Sequence, residues 1–568
     1  MTRSLAAKTE IFLIVLLACV PLFLHLPYRV NIFLSWEGAY RLSKGQLPFR
    51  DFGTPLGGMY WVIPALFFKI FGPKMISLIK AQVLINIVAG LSFRSILRSL
   101  QVNGGIRLVS VLIFCLSYSF INFWPWYNHS VIVYELVALA FLCRYLSLEG
   151  MADGREHYRL WWLAGAAFFT CCSFLTKQDG GGLAFVLCCW MLAVNGAIQR
   201  KWKPLLIYAG SFIVLLGLII SPFLRDGFGY WFNHGQPPHS SRISLFDIVN
   251  ELFGASPWIR FYLFLIVLLA VVRWRGREAL RADRVGILLV ALTIGILGEA
   301  AVLQVTSYTP PDNNIFFHSF AFACIFSLLV PLFPVPVEKP VVLGVLAAGV
   351  LIWWSGAWWN YTQRIVAKFL PKHENVRVSP TGENVVNEAT YGIGDTAFTD
   401  RGSSGFKEIP MNEWVESELP AFRKISMPAP TVAGIHRLLD MDLIKNYRAG
   451  RKPGEAPGDL RVLNMSELTP LAAEIPFRLE RNPRLPLWYH LGVGMFNRQA
   501  DTLETRIRDH YYDLVLFEYV PTLNNFYPFR VRDSLRVEYS QVDSFPAPRR
   551  GAETQGVIEV FVRPGHRE

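Results

Sequence analysis

The sequence predicts a polytopic α-helical membrane protein of about eleven transmembrane helices, followed by a smaller C-terminal α/β domain outside the membrane. Three observations carry that reading. Hydrophobic residues make up 52% of the 568 and charged residues 17%, with a mean hydropathy of +0.33; a soluble chain of this length would carry far more charge. The apolar residues fall in blocks of roughly 18–22, the length a helix needs to cross a bilayer. After residue 358 those blocks stop, and Pro, Gly and charge take over.

The elements follow in order. Arg3 and Lys8 precede an apolar run over about 11–26 that no small-x-small site closes, which reads as an uncleaved first span with a cytoplasmic N-terminus. A polar loop, about 28–55, comes next. Residues 56–71 are apolar but short and Gly/Pro-rich, as for a helix lying in or partly entering the membrane, with a true span as the alternative. Further spans are expected near 75–97, 106–124, 130–148, 159–176, 181–198, 204–224, 257–273, 285–305, 314–333 and 339–358.

The loops alternate in character. Arg94, Arg98 and Arg107 fall on one side, with Arg144, Arg155, Arg159, Arg200-Lys201-Trp202-Lys203 and the arginines of 273–284. That side is cytoplasmic by the positive-inside rule. The opposite loops are aromatic and polar: W-P-W-Y-N-H, T-K-Q-D-G-G, Y-W-F-N-H-G-Q-P-P-H and T-P-P-D-N-N-I-F-F-H. An odd number of spans places 359–568 outside. There Y-Y-D-L-V-L-F-E-Y-V and V-I-E-V-F-V-R-P read as strands and 501–510 as a helix. The expected division is a transmembrane part, 1–358, and an extracytoplasmic α/β domain, 359–568.

The net charge of +12 sits largely between the apolar blocks, so it implies no nucleic acid. The eight cysteines lie in or beside apolar segments without metal-ligand spacing and read as small buried residues.

The first loop is unusual. S-W-E-G-A-Y-R-L-S-K-G-Q-L-P-F-R-D-F, residues 35–52, interleaves its charges with Trp36, Tyr40, Leu42, Leu47, Phe49 and Phe52. Such a segment should lie at the headgroups, holding its acids over the mouth of the bundle. W-E-G-A-Y, K-G-Q-L-P-F-R-D-F and P-L-G-G-M-Y-W-V-I-P-A-L-F-F-K-I-F-G together resemble the first outer loop of GT-C glycosyltransferases, a group that includes protein O-mannosyltransferases and the lipid A aminoarabinose transferase. T-K-Q-D-G at 176–180 is similar to the Lys-Gln element that bacterial relatives place at the outer end of a span. Many relatives start the loop with two adjacent acids; here Trp36 precedes a single Glu37.

The resemblance implies transfer of a sugar from a polyprenyl-phosphate carrier to a lipid, glycan or protein hydroxyl, on the outer face of a bacterial inner membrane. By position it makes Glu37 the catalytic base, with Asp51 competing. The chemistry has its own demands. A carboxylate must take the acceptor's proton, and positive charge or a divalent metal must meet the phosphate that leaves. No cofactor or metal is specified by the sequence.

Each candidate has a plainer alternative. Asp51 beside Arg50 could close the P-F-R-D turn as an ion pair. Lys177, next to Gln178 and Asp179, is a phosphate contact or a lysine marking the membrane edge; Arg50 and Arg41 are weaker phosphate candidates. Asp312, Asn313 and His318 suit either donor contact or a helix cap. His129 reads as an interfacial hydrogen-bonding group at a span end, and His234 and His239 give a weak metal signal. The turn at 486–493, with Tyr489 and His490, favours docking over sugar stacking. A lipid or polysaccharide transporter would carry mid-span ionisable groups, and Glu135 and Glu299 are the two acids so placed. An oligosaccharide ligase would put its chemistry in a late, large outer loop.

Overall fold

The computed structural model describes residues 3–28, 32–120, 122–148, 156–232, 244–307, 315–333, 336–369, 405–410, 413–449, 460–487, 497–522, 528–549 and 554–565. The first part is helical: α1 (Arg3–Ala18), α2 (Ile32–Ser43), α3 (Val62–Phe71), α4 (Met75–Ser99), α5 (Gly104–Ser119), α6 (Tyr127–Leu148), α7 (Glu156–Phe174), α8 (Gln178–Gln199), α9 (Lys203–Ile220), α10 (Leu245–Asn250), α11 (Pro257–Arg273), α12 (Arg277–Ala282), α13 (Arg284–Ser307), α14 (Ile315–Leu329), α15 (Pro340–Trp353) and α16 (Ser355–Phe369). Two short strands interrupt it, β1 (Leu26–Pro27) and β2 (Phe52–Gly53).

Each of the eleven expected spans lies on a helix, but fewer of these helices reach span length within the described residues. Among the described residues six helical stretches are long and apolar enough, and eight if each bent pair, Leu245–Ala255 with Pro257–Arg273 and Pro340–Trp353 with Ser355–Gln363, is one span. Length is the reason. α5 and α14 have 16 and 15 residues, about 24 and 23 Å at 1.5 Å per residue, against about 30 Å of hydrocarbon. α7 uses its first turn on E-H-Y-R. The protein is a multi-pass membrane protein. The 56–71 segment forms the short apolar helix Met59–Phe71, about two thirds the length of a span.

Contacts sort the loops into two ends. At one, Arg284 donates to Leu146 O and to Asn195 Oδ1, and Gly105 packs against Val337 O. At the other, the first loop meets the C-terminal part of the chain. That part contains β3 (Trp414–Glu416), β4 (Ile425–Pro428), α17 (Ala429–Asp440), α18 (Asp442–Ala449), β5 (Val462–Met465), α19 (Leu471–Glu474), β6 (Asn482–Pro486), α20 (Asn497–Arg508), β7 (Leu514–Tyr519), α21 (Phe529–Glu538), β8 (Ser540–Pro546) and β9 (Val557–Val562). Strands β5-β7-β9-β8 form one mixed sheet, parallel at β5-β7 and antiparallel elsewhere. The strands read at 511–520 and 557–564 are β7 and β9, and α20 covers the expected helix at 501–510 as far as Arg508.

The two parts share a core and backbone pairing. β1 pairs in parallel with β4, and β2 with β6. Trp36, Tyr40, Phe68 and Leu78 are buried in one cluster with Phe422, Ile435, Leu516 and Phe545. Met75 N donates to Ala421 O at 3.1 Å, and Tyr40 Oη to Ala472 O at 3.0 Å. α16 runs across position 358.

Candidate functional site

α2 carries the W-E-G-A-Y stretch because its apolar residues recur on one face, toward Trp61, Phe68 and the C-terminal sheet. Gly38 is required there, since a Cβ would lie 2.0 Å from the Trp61 ring. Glu37 and Arg41 stand one turn apart. Glu37 Oε1 accepts from Arg41 Nη2 at 2.7 Å and Nε at 2.9 Å. Arg41 is itself buried, donating from Nη1 to Gln46 Oε1 and to Glu480 O. Burial pushes the Glu37 carboxyl above the ordinary carboxylate range, and Arg41 offsets this in part. Glu37 faces a crevice of about 20 Å³ with Asn464, Thr469 and Glu480 on its far wall. The C-terminal region therefore covers Glu37.

Asp51 is held differently. Its Oδ2 accepts from Leu47 N at 2.8 Å and from Arg50 Nη2 and Nε at 2.6 and 3.0 Å, while its own N donates to Leu47 O. Burial opposes the charge, but the Arg50 and Leu47 hydrogen bonds outweigh it and hold the carboxyl below its usual value. This is turn closure. Phe49, inside the turn, has φ 67°, a left-handed conformation that costs a non-glycine residue about 1 kcal/mol or more. It persists because the ring is buried against Phe228 and Trp231.

The T-K-Q-D-G turn between α7 and α8 meets this same loop. Gly57 N donates to Thr176 O at 3.2 Å and Met59 N to Leu175 O at 3.3 Å. A Cβ on Gly57 would lie 1.6 Å from Leu175 O, so only glycine allows the approach. Lys177 pairs with Asp179 at 3.0 Å and lies 5.8 Å from the Tyr127 ring centre. Gln178 Nε2 donates to Trp231 O at 2.7 Å. Pro48, Phe49, Met59, Leu175, Ile219 and Trp231 line an apolar groove of about 150 Å³ beside the turn. Two elements 120 residues apart in the sequence thus form one wall.

His318 lies elsewhere. Its Nδ1 is 2.8 Å from Tyr262 Oη, and Trp258 and Trp354 pack on the ring. These partners belong to α11 and the α15–α16 bend, not to the first loop. Asp312, Asn313, His234, His239, Tyr489 and His490 lie outside the described residues. His129 Nδ1 sits 3.4 Å from Gln82 Nε2. Among the described residues no group of three His, Cys, Asp or Glu is placed to hold a metal ion.

No protein-family model and no curated protein matches the chain. Solved structures resemble it at low identity. ArnT from Cupriavidus metallidurans bound to undecaprenyl phosphate is 14% identical, with a TM-score of 0.37 over 61% of this chain and 62% of its own. The apo state gives 16%, 0.40, 65% and 67%. The arabinofuranosyltransferase AftD from mycobacteria gives 13% and 0.42, over 100% of this chain and 40% of its own. The chain therefore spans about two thirds or less of the length of each.

Two features escaped the sequence reading. One is Glu480, whose carbonyl and neighbours close over Arg41; it lies 439 residues away, with no local signal. The other is that Glu135 and Glu299 face each other inside the bundle, both buried. Their mid-span positions were visible, but not their pairing.

Proposed function

We propose that the protein is an integral membrane glycosyltransferase that moves a sugar from a polyprenyl-phosphate donor to an acceptor hydroxyl, on the outer face of a bacterial inner membrane. The observation that carries the reading is the docking of the first loop on the T-K-Q-D-G turn. Leu175 beside that turn and Phe49 of the P-F-R-D turn line one apolar groove, and the cation Lys177 follows two residues past Leu175, paired with Asp179. A polyprenyl phosphate needs that combination: apolar walls for isoprene units and a cation for the phosphate.

In this reading Glu37 is the base. A carboxyl raised by burial is a better proton acceptor than an ordinary one, because its pKa lies nearer the working pH. Its Arg41 partner keeps it oriented. The acceptor reaches Glu37 by parting α2 from residues 464–480, which now cover it. Asp51 holds the turn that shapes the groove, and Arg50, half exposed beside it, is a second cation for the phosphate. Gln178 fixes the groove wall through Trp231. The N-terminus is cytoplasmic and the C-terminal region extracytoplasmic.

The test is transfer itself: purified protein in nanodiscs, a labelled polyprenyl-phosphate sugar and candidate hydroxyl acceptors, with product followed by mass. The Glu135–Glu299 pair favours a second reading, a transporter that exchanges protons in mid-membrane. Substrate flux across vesicles without new glycosidic bonds would select it.

A further inference from the structure

A cavity of about 650 Å³ lies at the opposite end of the bundle from Glu37 and Lys177. The 25 residues of α4 separate the two ends, about 37 Å of helix. The cavity is bounded by Ala6 of α1, Arg94 and Arg98 of α4, Arg107 of α5, the Gln101–Gly105 turn, and Leu343 of α15.

Its electrostatics are built from a buried clamp. Glu10 on α1 is fully enclosed and accepts from Arg94 Nε at 2.6 Å and Arg107 Nε at 2.8 Å. One carboxylate between two guanidinium groups leaves a positive charge over. Arg98 adds another, and no carboxylate pairs with it among the described residues. Glu338 at the rim, which accepts from Asn103 Nδ2, offsets one of these. The amino end of the 16-residue α5 also opens here at Gly104.

On either side the cavity walls run into apolar surface. Leu5, Phe12 and Leu16 of α1 and Val341 and Val345 of α15 are all exposed. In a membrane these faces meet acyl chains. A basic hollow between two such faces matches one kind of ligand, a phosphate that carries hydrocarbon.

We propose that this cavity binds the headgroup of an anionic phospholipid, with Arg98 and the residual charge of the Glu10–Arg94–Arg107 clamp meeting the phosphate and the acyl chains lying along α1 and α15. This site is independent of the donor site at the other end.

The test is native mass spectrometry of the detergent-solubilised full chain, titrated with phosphatidylglycerol and separately with phosphatidylcholine. Arg98→Glu is the variant, since Arg98 takes no part in the clamp. Arg200→Glu, an exposed base outside the cavity, is the control. Phosphatidylglycerol should bind the wild type at least about 10-fold more tightly than phosphatidylcholine, Arg98→Glu should remove that preference, and Arg200→Glu should keep it. Equal binding of the two lipids overturns the proposal, and so does an equal loss in both variants. Inorganic phosphate serves as a third probe. If it displaces phosphatidylglycerol at millimolar concentration through Arg98, the ligand is a free phosphate and the lipid assignment fails.

Discussion

Replacing Gly57 by Ala tests whether the first loop and the T-K-Q-D-G turn form one site. The new Cβ would lie 1.6 Å from Leu175 O. Ordinary carbon–oxygen contact needs the loop to retreat on the order of 2 Å. The carbonyl cannot turn away freely, because it already accepts from Met59 N. A retreat of that size takes both the Gly57 N–Thr176 O and Met59 N–Leu175 O hydrogen bonds, now 3.2 and 3.3 Å, beyond bonding distance. Two such bonds contribute about 1–3 kcal/mol together, so the open state should gain roughly 5–150-fold in population. Hydrogen exchange of the nanodisc-embedded protein reads this directly, as faster exchange in peptides covering 54–61 and 174–178. Gly182→Ala is the control, because a Cβ there meets nothing within 4 Å. Wild-type exchange rates in Gly57→Ala would refute the docking of the two elements. Rates raised equally in Gly182→Ala would trace the effect to helix α8 rather than to the contact.

Three further outcomes are expected. Lys177→Ala should weaken binding of a polyprenyl-phosphate donor by roughly 10–100-fold, the worth of a charge-assisted contact to phosphate, with acceptor binding unchanged in the same titrations. Reporters active only outside the cytoplasm should work when fused after Trp359 or Asn128 and fail after Arg200 or Arg277. In the C-terminal region, burial pushes Glu467 up to about 8 although Arg549 counters it and Glu518 adds to it. A carboxyl raised on folding stabilises fully below its ordinary value and loses that contribution as pH rises to about 8, so thermal melts should fall over that window and flatten in Glu467→Gln.

Most of the helices were legible because lipid leaves one way to satisfy a backbone, and apolar blocks of span length announce it. The number of spans was less legible, because α5 and α14 are helical and apolar but shorter than span length. The sheet strands β7 and β9 were legible from their alternation of Val, Leu, Phe and Ile. The pairing of β1 with β4 and β2 with β6 was not, since two-residue strands carry no period. At the site, the spacing of Glu37 and Arg41 was present in the sequence as an i, i+4 pair. The partners of Lys177 were partly visible, with Asp179 two residues on. That Gly57 reaches Leu175 was not, because the close approach depends on how α7 packs against the loop. Asp51 shows the limit most clearly: its sequence context suits a base and an ion pair equally, and the Leu47 N–H that its carboxylate also accepts has no signal in the sequence.

The central claim is that Glu37 takes the acceptor's proton, and it is tested by glycosyl transfer in Glu37→Gln with donor and acceptor both saturating. The substitution keeps the size and an acceptor for Arg41 but cannot accept a proton. Transfer should fall by about 10²–10⁴-fold, with expression and hydrogen exchange unchanged. Asp51→Asn in the same assay should cost much less, since its ion pair with half-exposed Arg50 contributes about 0–1 kcal/mol. Wild-type transfer in Glu37→Gln alongside loss in Asp51→Asn would contradict the account and move the base to Asp51; wild-type transfer in both would remove this loop from the chemistry.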